Sequence, residues 1–346
     1  MKNNNLTKNF LAINVLSYNP KMGFGKKYGI EAPKRLGIKT FFIKPFSLGN
    51  YYLDWIIGGI KAVSELMKIS KRYRIIISFN PYTLPFCFIT RKPIVFVSAD
   101  YFEGETYRQK IKKMVYKLIK HFFIPKCIAV IGTTNYIKKS FEGIVSKNKL
   151  FMIRTGIDVK DFKACKKKKL SKVPILYYHG KIRDDYNIEL LINCLDYIKT
   201  PVKLWLVGGG PAENKMKELA KKSKHKVLFF GVQPYEKILK LIKKADICLQ
   251  PLPTLSMKLW QYFAAGKPIV GVDGWKIREV VKNNVHAVLT KNDPKEYAKG
   301  IEKLIKNEKL RKKLIKNGLK LTKLVDWENI IKEYKKLLEK IIKNFF

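Results

Sequence analysis

Relative to their opposites, acidic residues are what this 346-residue chain has least of: 27 Asp and Glu stand against 71 Lys and Arg, a formal net charge of +44 at pH 7. Arginine is scarce too, 9 beside 62 Lys, which disfavours sequence-specific DNA reading, where forked Arg–guanine contacts are the commonest base contact. Cysteine is sparse and scattered. Cys87, Cys127, Cys165, Cys194 and Cys248 are odd in number and form no C-x-x-C pair. Neither a disulfide framework nor a cysteine zinc site is expected, and the thiols read as reduced core residues of an intracellular protein. No apolar run reaches the roughly 18 residues that a membrane-spanning helix needs. The short stretch Phe10–Leu16 runs straight into a turn and reads as a first strand rather than a signal peptide. The expected location is the cytoplasm, with peripheral contact on the cytoplasmic face of a membrane.

What is present makes a folded protein. A hydrophobic fraction of 47% with 12% aromatics does not fit a disordered basic tail, which lacks the apolar residues to offset chain entropy. The length suggests two domains, each able to bury a core. The excess charge has three meanings: a nucleic-acid partner, an anionic membrane or lipid-phosphate partner, or lysine bias with no partner at all. Up to Leu170 there are 34 basic and 9 acidic residues, and after it 37 and 18. The first part is the poorer in acids.

Short apolar runs alternate with amphipathic stretches: twelve candidate strands begin at Phe10, Thr40, Ile75, Pro93, Cys127, Leu150, Ile175, Lys203, Val227, Ile247, Pro268 and Ala287. Patterns of helical period fill the gaps, as over Glu189–Ile198 and Tyr235–Ala245. That alternation predicts an α/β protein of two Rossmann-like, doubly wound parallel-sheet domains. The lysine run at 166–172 marks a composition break, giving domains at 1–165 and 173–325, a linker at 166–172, and a terminal helical segment at 326–346.

Ligands of doubly wound sheets bind outside the carboxyl ends of the strands, so the loops there carry the weight. After the first strand, Gly23 and Gly25 sit in a turn-rich loop. Gly208-Gly209-Gly210-Pro211 follows Val207, but Glu213 occupies the last place of a dinucleotide fingerprint, and a tight strand-to-helix turn is the expectation. The most informative segment runs from Pro251 to Val270. Ser256 is a good N-cap, and Gly266 with Pro268 should end the helix that follows. A helix start with unpaired amides, a hydroxyl and Lys258 can seat a diphosphate; an ordinary capped helix is the plainer alternative.

The pattern from Ser256 through Lys258, Leu259, Tyr262, Ala264, Gly266, Lys267 and Pro268 resembles the donor-sugar motif of GT-B glycosyltransferases, in particular the GT4-like group, glycosyl transferases group 1. Further segments are similar in order and spacing: Ile153–Asp158 with Phe162, Leu176–Ile182, Leu204–Pro211, Phe229–Tyr235 and Ala245–Ile247. The resemblance is strong from about Ile128 to Trp327 and implies two domains facing across a cleft, the first for the acceptor, the second for a nucleotide sugar. It also implies that the last helix crosses back to the first domain. Transfer of a sugar from a UDP- or GDP-sugar to a glycan or lipid-linked acceptor is implied. By the same resemblance Gly231 and Gln233 hold the base, Gln261 the ribose, and Ser256 and Lys258 the diphosphate, with Lys181 as a second cation and Met257 a further donor-binding residue. No D-x-D element or metal cluster appears, so no metal or other cofactor is expected.

Two departures stand out. Gln261 replaces the family's usual Glu, and Pro253 stands where an E-x7-E pair would begin. On the acceptor side, Asp100 follows an apolar strand and is the candidate base, with Glu103, Glu105, Gly23, Gly25 and His179 as further acceptor-side candidates; a helix-capping Asp is the alternative for Asp100. Two basic amphipathic stretches, Tyr107–Lys126 and Trp327–Phe346, suit an anionic membrane surface or, equally, a packed helix with a solvated lysine face. Alternatives to the transferase are a nucleotide-sugar epimerase of the same fold and a basic nucleic-acid-binding protein, although no nucleic-acid motif is visible.

Overall fold

Runs of branched and aromatic residues, bounded by glycine or polar turns, form the strands because such side chains fit a pleated surface buried on both faces. The computed structural model describes residues 7–15, 28–43, 51–98, 107–162 and 169–345. Two units emerge, one of Met1–Gly156 with Glu328–Phe346, the other of Ile157–Trp327. The first holds β1 (Phe10–Val15), β2 (Lys39–Ile43), β3 (Ile75–Ser78), β4 (Ile94–Ser98), β5 (Ala129–Gly132) and β6 (Leu150–Met152). They pair in the order β2-β1-β3-β4-β5-β6. The second holds β7 (Ile175–His179), β8 (Lys203–Val207), β9 (Lys226–Phe229), β10 (Ile247–Gln250), β11 (Ile269–Val272) and β12 (Val288–Thr290), ordered β12-β11-β10-β7-β8-β9. Every neighbouring pair is parallel. All twelve strands lie on the apolar segments expected of them, and the fold class is the expected one, two Rossmann-like parallel-sheet α/β units.

Parallel neighbours need a crossover, and helices supply it. In the first unit these are α1 (Tyr28–Leu36), α2 (Tyr51–Ser70), α3 (Leu84–Ile89), α4 (Tyr107–Phe122) and α5 (Asn135–Lys139). In the second they are α6 (Ile188–Asn193), α7 (Glu213–Lys221), α8 (Tyr235–Lys244), α9 (Met257–Ala264) and α10 (Trp275–Arg278), and after the last strand come α11 (Pro294–Lys306) and α12 (Glu308–Leu321). The last helix, α13 (Trp327–Phe345), belongs almost wholly to the first unit. The pattern over Glu189–Ile198 resolves into α6 and a 3-10 turn at Cys194–Tyr197.

Alternate strand residues feed cores on opposite faces. In the second unit Leu176, Tyr178, Leu204 and Leu206 join one cluster, while Tyr177, Val207 and Cys248 join another. Each such fully buried large apolar side chain contributes about 1.5–3 kcal/mol. The division after Gly156 has a local cause: Ile157 N donates to Val325 O at 2.7 Å, and Trp327 N donates to Ile157 O at 3.3 Å. The chain entering and the chain leaving the second unit are thereby clasped together. Asp246 holds the approach to β7, accepting from Ser171 N and Ile175 N. Cys87, Cys127, Cys194 and Cys248 are buried and form no disulfide; Cys165 lies outside the described residues. Among the described residues no helix is long and apolar enough to cross a membrane.

In the second unit the chain runs from β7 outward through β8 and β9, then returns to β10 on the other side of β7. Ligands of doubly wound sheets bind at such a reversal, beyond the carboxyl ends of the strands. In the first unit the reversal lies between β1 and β3. The candidates Gly23 and Gly25, and Asp100, Glu103 and Glu105, fall outside the described residues.

Candidate functional site

Three strand-end loops are joined edge to edge at the reversal. Gly180 N, just past β7, donates to Val207 O at 2.9 Å, and Ile182 N to Gly209 O at 3.1 Å. Gly208 N in turn donates to Gly231 O, beyond β9, at 2.8 Å. The backbones lie so close that a Cβ on Gly208 would sit 1.8 Å from Gly180 O, and its φ of +136° is one that side-chain-bearing residues rarely adopt. The Gly208–Pro211 stretch is therefore the tight turn its sequence suggested. Gly180 serves a different need: a Cβ there would meet Tyr178 Oη at 2.8 Å and Lys258 Nζ at 2.9 Å. Its missing side chain keeps space open beside that ammonium.

Lys258 stands in the first turn of α9. Its Nζ donates to Tyr178 Oη at 3.0 Å and lies 4.2 Å over the centre of the same ring and 5.4 Å over that of Tyr186. Tyr178 Oη donates onward to Lys181 O at 3.1 Å. No carboxylate among the described residues forms an ion pair with Lys258, and burial alone brings its pKa down to about 7. Cation–π contact softens the burial. It does not replace an anion.

The start of α9 is built differently from what its sequence suggests. Ser256 occupies the N-cap position with extended backbone, yet its hydroxyl caps no helix N–H. It donates instead to Gln250 Oε1 at 3.3 Å. Gln250, fully buried at the end of β10, also donates its Nε2 to Leu252 O and Thr254 O. The side-chain amide thus shapes the loop into α9 and draws the serine away. The first turn carries no acid either, so the leading N–H groups keep their pull on an anion. The other end behaves as expected: Gly266, at φ +62°, stops the helix, and Lys267 N donates to Tyr262 O.

His179 and Gln261 form a buried pair between β7 and α9, with Nε2 donating to Gln261 Oε1 at 2.8 Å. His179 Nδ1 is then a bare acceptor, buried and without a partner. Burial first, and the Lys258 charge second, bring the imidazole pKa down to about 3 and keep it neutral. The residue's backbone N donates to Tyr262 Oη at 3.1 Å. Of the remaining expected donor residues, Met257 lies beside Lys258 in the same turn, and Gly231 has φ +64° with open space where a Cβ would be. Gln233 donates its amide to Phe230 O, and Lys181 is exposed.

The structure therefore gathers His179, Lys258 and Gln261 with Ser256 and Met257 at one place, and sets Gly231 and Gln233 on the third of the joined loops. Sequence reasoning passed over Tyr178, Tyr186 and Gln250. An amide closing an otherwise apolar strand was the signal for Gln250. Tyr178 offered none, since its place in the strand alternation is that of a core residue.

Residues 159–321 match the family model described as glycosyl transferases group 1. The uncharacterized glycosyltransferase MJ1069 of Methanocaldococcus jannaschii is 26% identical over 255 residues, covering 68% of this chain and 64% of that relative. The chain thus spans less than two thirds of that relative's length. Among solved structures, Anabaena Alr3699/HepE in complex with UDP and glucose superposes with a TM-score of 0.76 at 16% identity, over 96% of this chain and 99% of that one. Sucrose-phosphate synthase from Thermosynechococcus elongatus gives 0.79 at 17% identity, over 97% and 99%. The match to glycosyl transferases group 1 over residues 159–321 falls within the unit Ile157–Trp327, where the reversal of strand order and most of the motif segments also lie.

Proposed function

We propose that this chain transfers a glycosyl group from a UDP- or GDP-sugar to a hydroxyl of a glycan or lipid-linked acceptor, without a metal ion. The observation that carries the reading is Lys258: a buried ammonium with no carboxylate partner among the described residues, in the first turn of a helix whose N–H groups have no side-chain cap. A diphosphate supplies the negative charge that both lack. The family match and the UDP held by the Anabaena protein support the nucleotide-sugar assignment.

In the reaction, the bond between the anomeric carbon and the diphosphate oxygen breaks, and its electron pair stays on that oxygen. Negative charge grows there, and Lys258 with the first amides of α9 meets it with donors already in place. Burial strengthens the effect, because the response of water is excluded. The acceptor oxygen forms the new bond to the anomeric carbon, and its proton passes to a base, for which Asp100 is the candidate. The products are the glycosylated acceptor and a nucleoside diphosphate. Lys181 adds a second positive charge, Gly231 and Gln233 take the base, and the Gln261 amide takes the ribose.

A thermal-shift series with UDP-, GDP-, ADP- and CMP-sugars tests the donor. A UDP- or GDP-sugar should raise the melting temperature, Lys258→Ala should abolish that rise, and EDTA should leave turnover intact. Stabilisation by none of the four sinks the assignment. Conversion of a sugar nucleotide with no acceptor present would instead point to epimerisation.

A further inference from the structure

The two basic amphipathic helices of the first unit part company once their faces are known. α13 turns its apolar residues inward, with Ile330, Tyr334, Leu338 and Ile341 buried. α4 buries Tyr116 and Ile119 in the same way, yet leaves Met114, Leu118 and Phe122 exposed at 59%, 51% and 62%. A spacing of four residues drifts by only about 40° per step around a helix, so the three form one outward row. Lys113, Lys117 and His121, each one position earlier, form an exposed basic row alongside. From Tyr107 to Lys126 there is no acid at all.

The neighbouring helices continue the surface. Leu66 of α2, Leu84 and Cys87 of α3, and Ile119 of α4 share one buried cluster with Ile76 and Phe96, so the three helices cover the same sheet face. On their outer side α2 exposes Ile60 and Met67, seven residues apart, and α3 ends on exposed Ile89. Lys68, Lys71, Arg72 and Arg91 stand exposed around them.

We infer that this layer of α2, α3 and α4 is a docking surface for an anionic lipid bilayer. The argument is one of complementarity. A bilayer interface takes up an apolar row and neutralises the basic row beside it in the same contact. A polyanion such as RNA would satisfy the lysines and leave Met114, Leu118 and Phe122 in water. A second copy would set like charge against like charge. The inference stands apart from the proposed transfer, since vesicle binding is read with neither donor nor acceptor.

Flotation of the intact chain tests it, using vesicles with about 40 mol% phosphatidylglycerol in phosphatidylcholine against pure phosphatidylcholine, at about 0.15 M salt. Binding to the anionic vesicles alone is expected. Leu118→Asp with Phe122→Asp should weaken partitioning about tenfold or more, with the melting temperature unchanged because both side chains are exposed. Lys113→Glu with Lys117→Glu should weaken it as well. Leu319→Asp with Leu324→Asp, at exposed apolar positions of the second unit, should leave it as it was. Phe122→Trp should shift its fluorescence to the blue on adding anionic vesicles. Absence of vesicle binding, or full binding by the Leu118/Phe122 variant, overturns the inference. So does a dimer, or RNA binding, that this variant abolishes.

Discussion

The two ends of α9 each bury a lysine, and the two ammonium groups have opposite surroundings. Past the C-terminal end, Lys267 Nζ donates to Lys243 O at 2.9 Å and Ala245 O at 2.8 Å, the carbonyls left open where α8 ends. That ammonium completes a structure, since helix C-termini offer unpaired carbonyls and a partial negative charge. At the N-terminal end, Lys258 has a phenol and two aromatic faces, and a gap kept open by Gly180. Among the described residues these are the two buried lysines of a very lysine-rich chain. Carbonyls complete the shell of one buried cation and make it a strut; the shell of the other is left open, as the proposed binding of a diphosphate requires.

Replacing each lysine is the strongest way to break that comparison. Lys258→Met should lower kcat/KM for transfer by about 10²–10³, the scale for losing one preorganised donor at a developing oxyanion, with the melting temperature unchanged or raised. Steady-state kinetics beside calorimetry would show it; a variant that loses stability and activity together would make Lys258 a strut after all. Lys267→Met should do the reverse, costing about 2–4 kcal/mol by leaving two carbonyls unpaired and the charge pattern broken. Its nucleotide affinity in the folded fraction should stay unchanged, as urea unfolding and calorimetric titration would report.

Acidity sharpens the contrast further. With a pKa near 7 in the free protein, Lys258 is charged below that point and neutral above it. Diphosphate affinity should hold steady up to about pH 7 and then fall by up to tenfold per unit as the cation is lost. Stability should move the other way. The unfolded lysine keeps its proton up to its ordinary value of about 10.5, so between pH 7 and that value the unfolded chain binds more protons and the folded state gains with rising pH. Titration calorimetry and melting curves across this window should show opposite slopes, and Lys258→Met should flatten both. Ser256→Ala should have the smallest effect, below about 1 kcal/mol, because the hydroxyl does not cap α9. A loss near 2 kcal/mol on thermal melting would restore the serine as a cap.

How much of this was legible beforehand follows physical lines. The strands were, because apolar runs between glycine and polar turns have few other uses in a chain with no long hydrophobic segment. The stop at Gly266 was equally local, and Lys258 was found through the helix start around it. Ser256 shows the limit. Its preference for an N-cap is a local property, while the competing amide of Gln250 comes from the preceding strand end and is met only when the loop folds back. The surroundings of Lys258 were hidden for a similar reason: Tyr178 is 80 residues away and reaches the lysine only through the pairing of β7 with β10. Nor could the sequence separate α4 from α13, since both show lysines interleaved with apolar residues and differ in which neighbours cover them.

The join between the loops after β7, β8 and β9 reaches beyond geometry. With Gly208 pressed against Gly180 O and each loop bonded to the next, none can yield without displacing the others. Under the proposed transfer, choice among nucleotide sugars would then fall to the side chains around the frame, Gln233 and Gln261 foremost. On that reading, altering what the protein accepts would be a matter of repainting those positions, because the joined glycine backbone beneath them has no room for a side chain at Gly208.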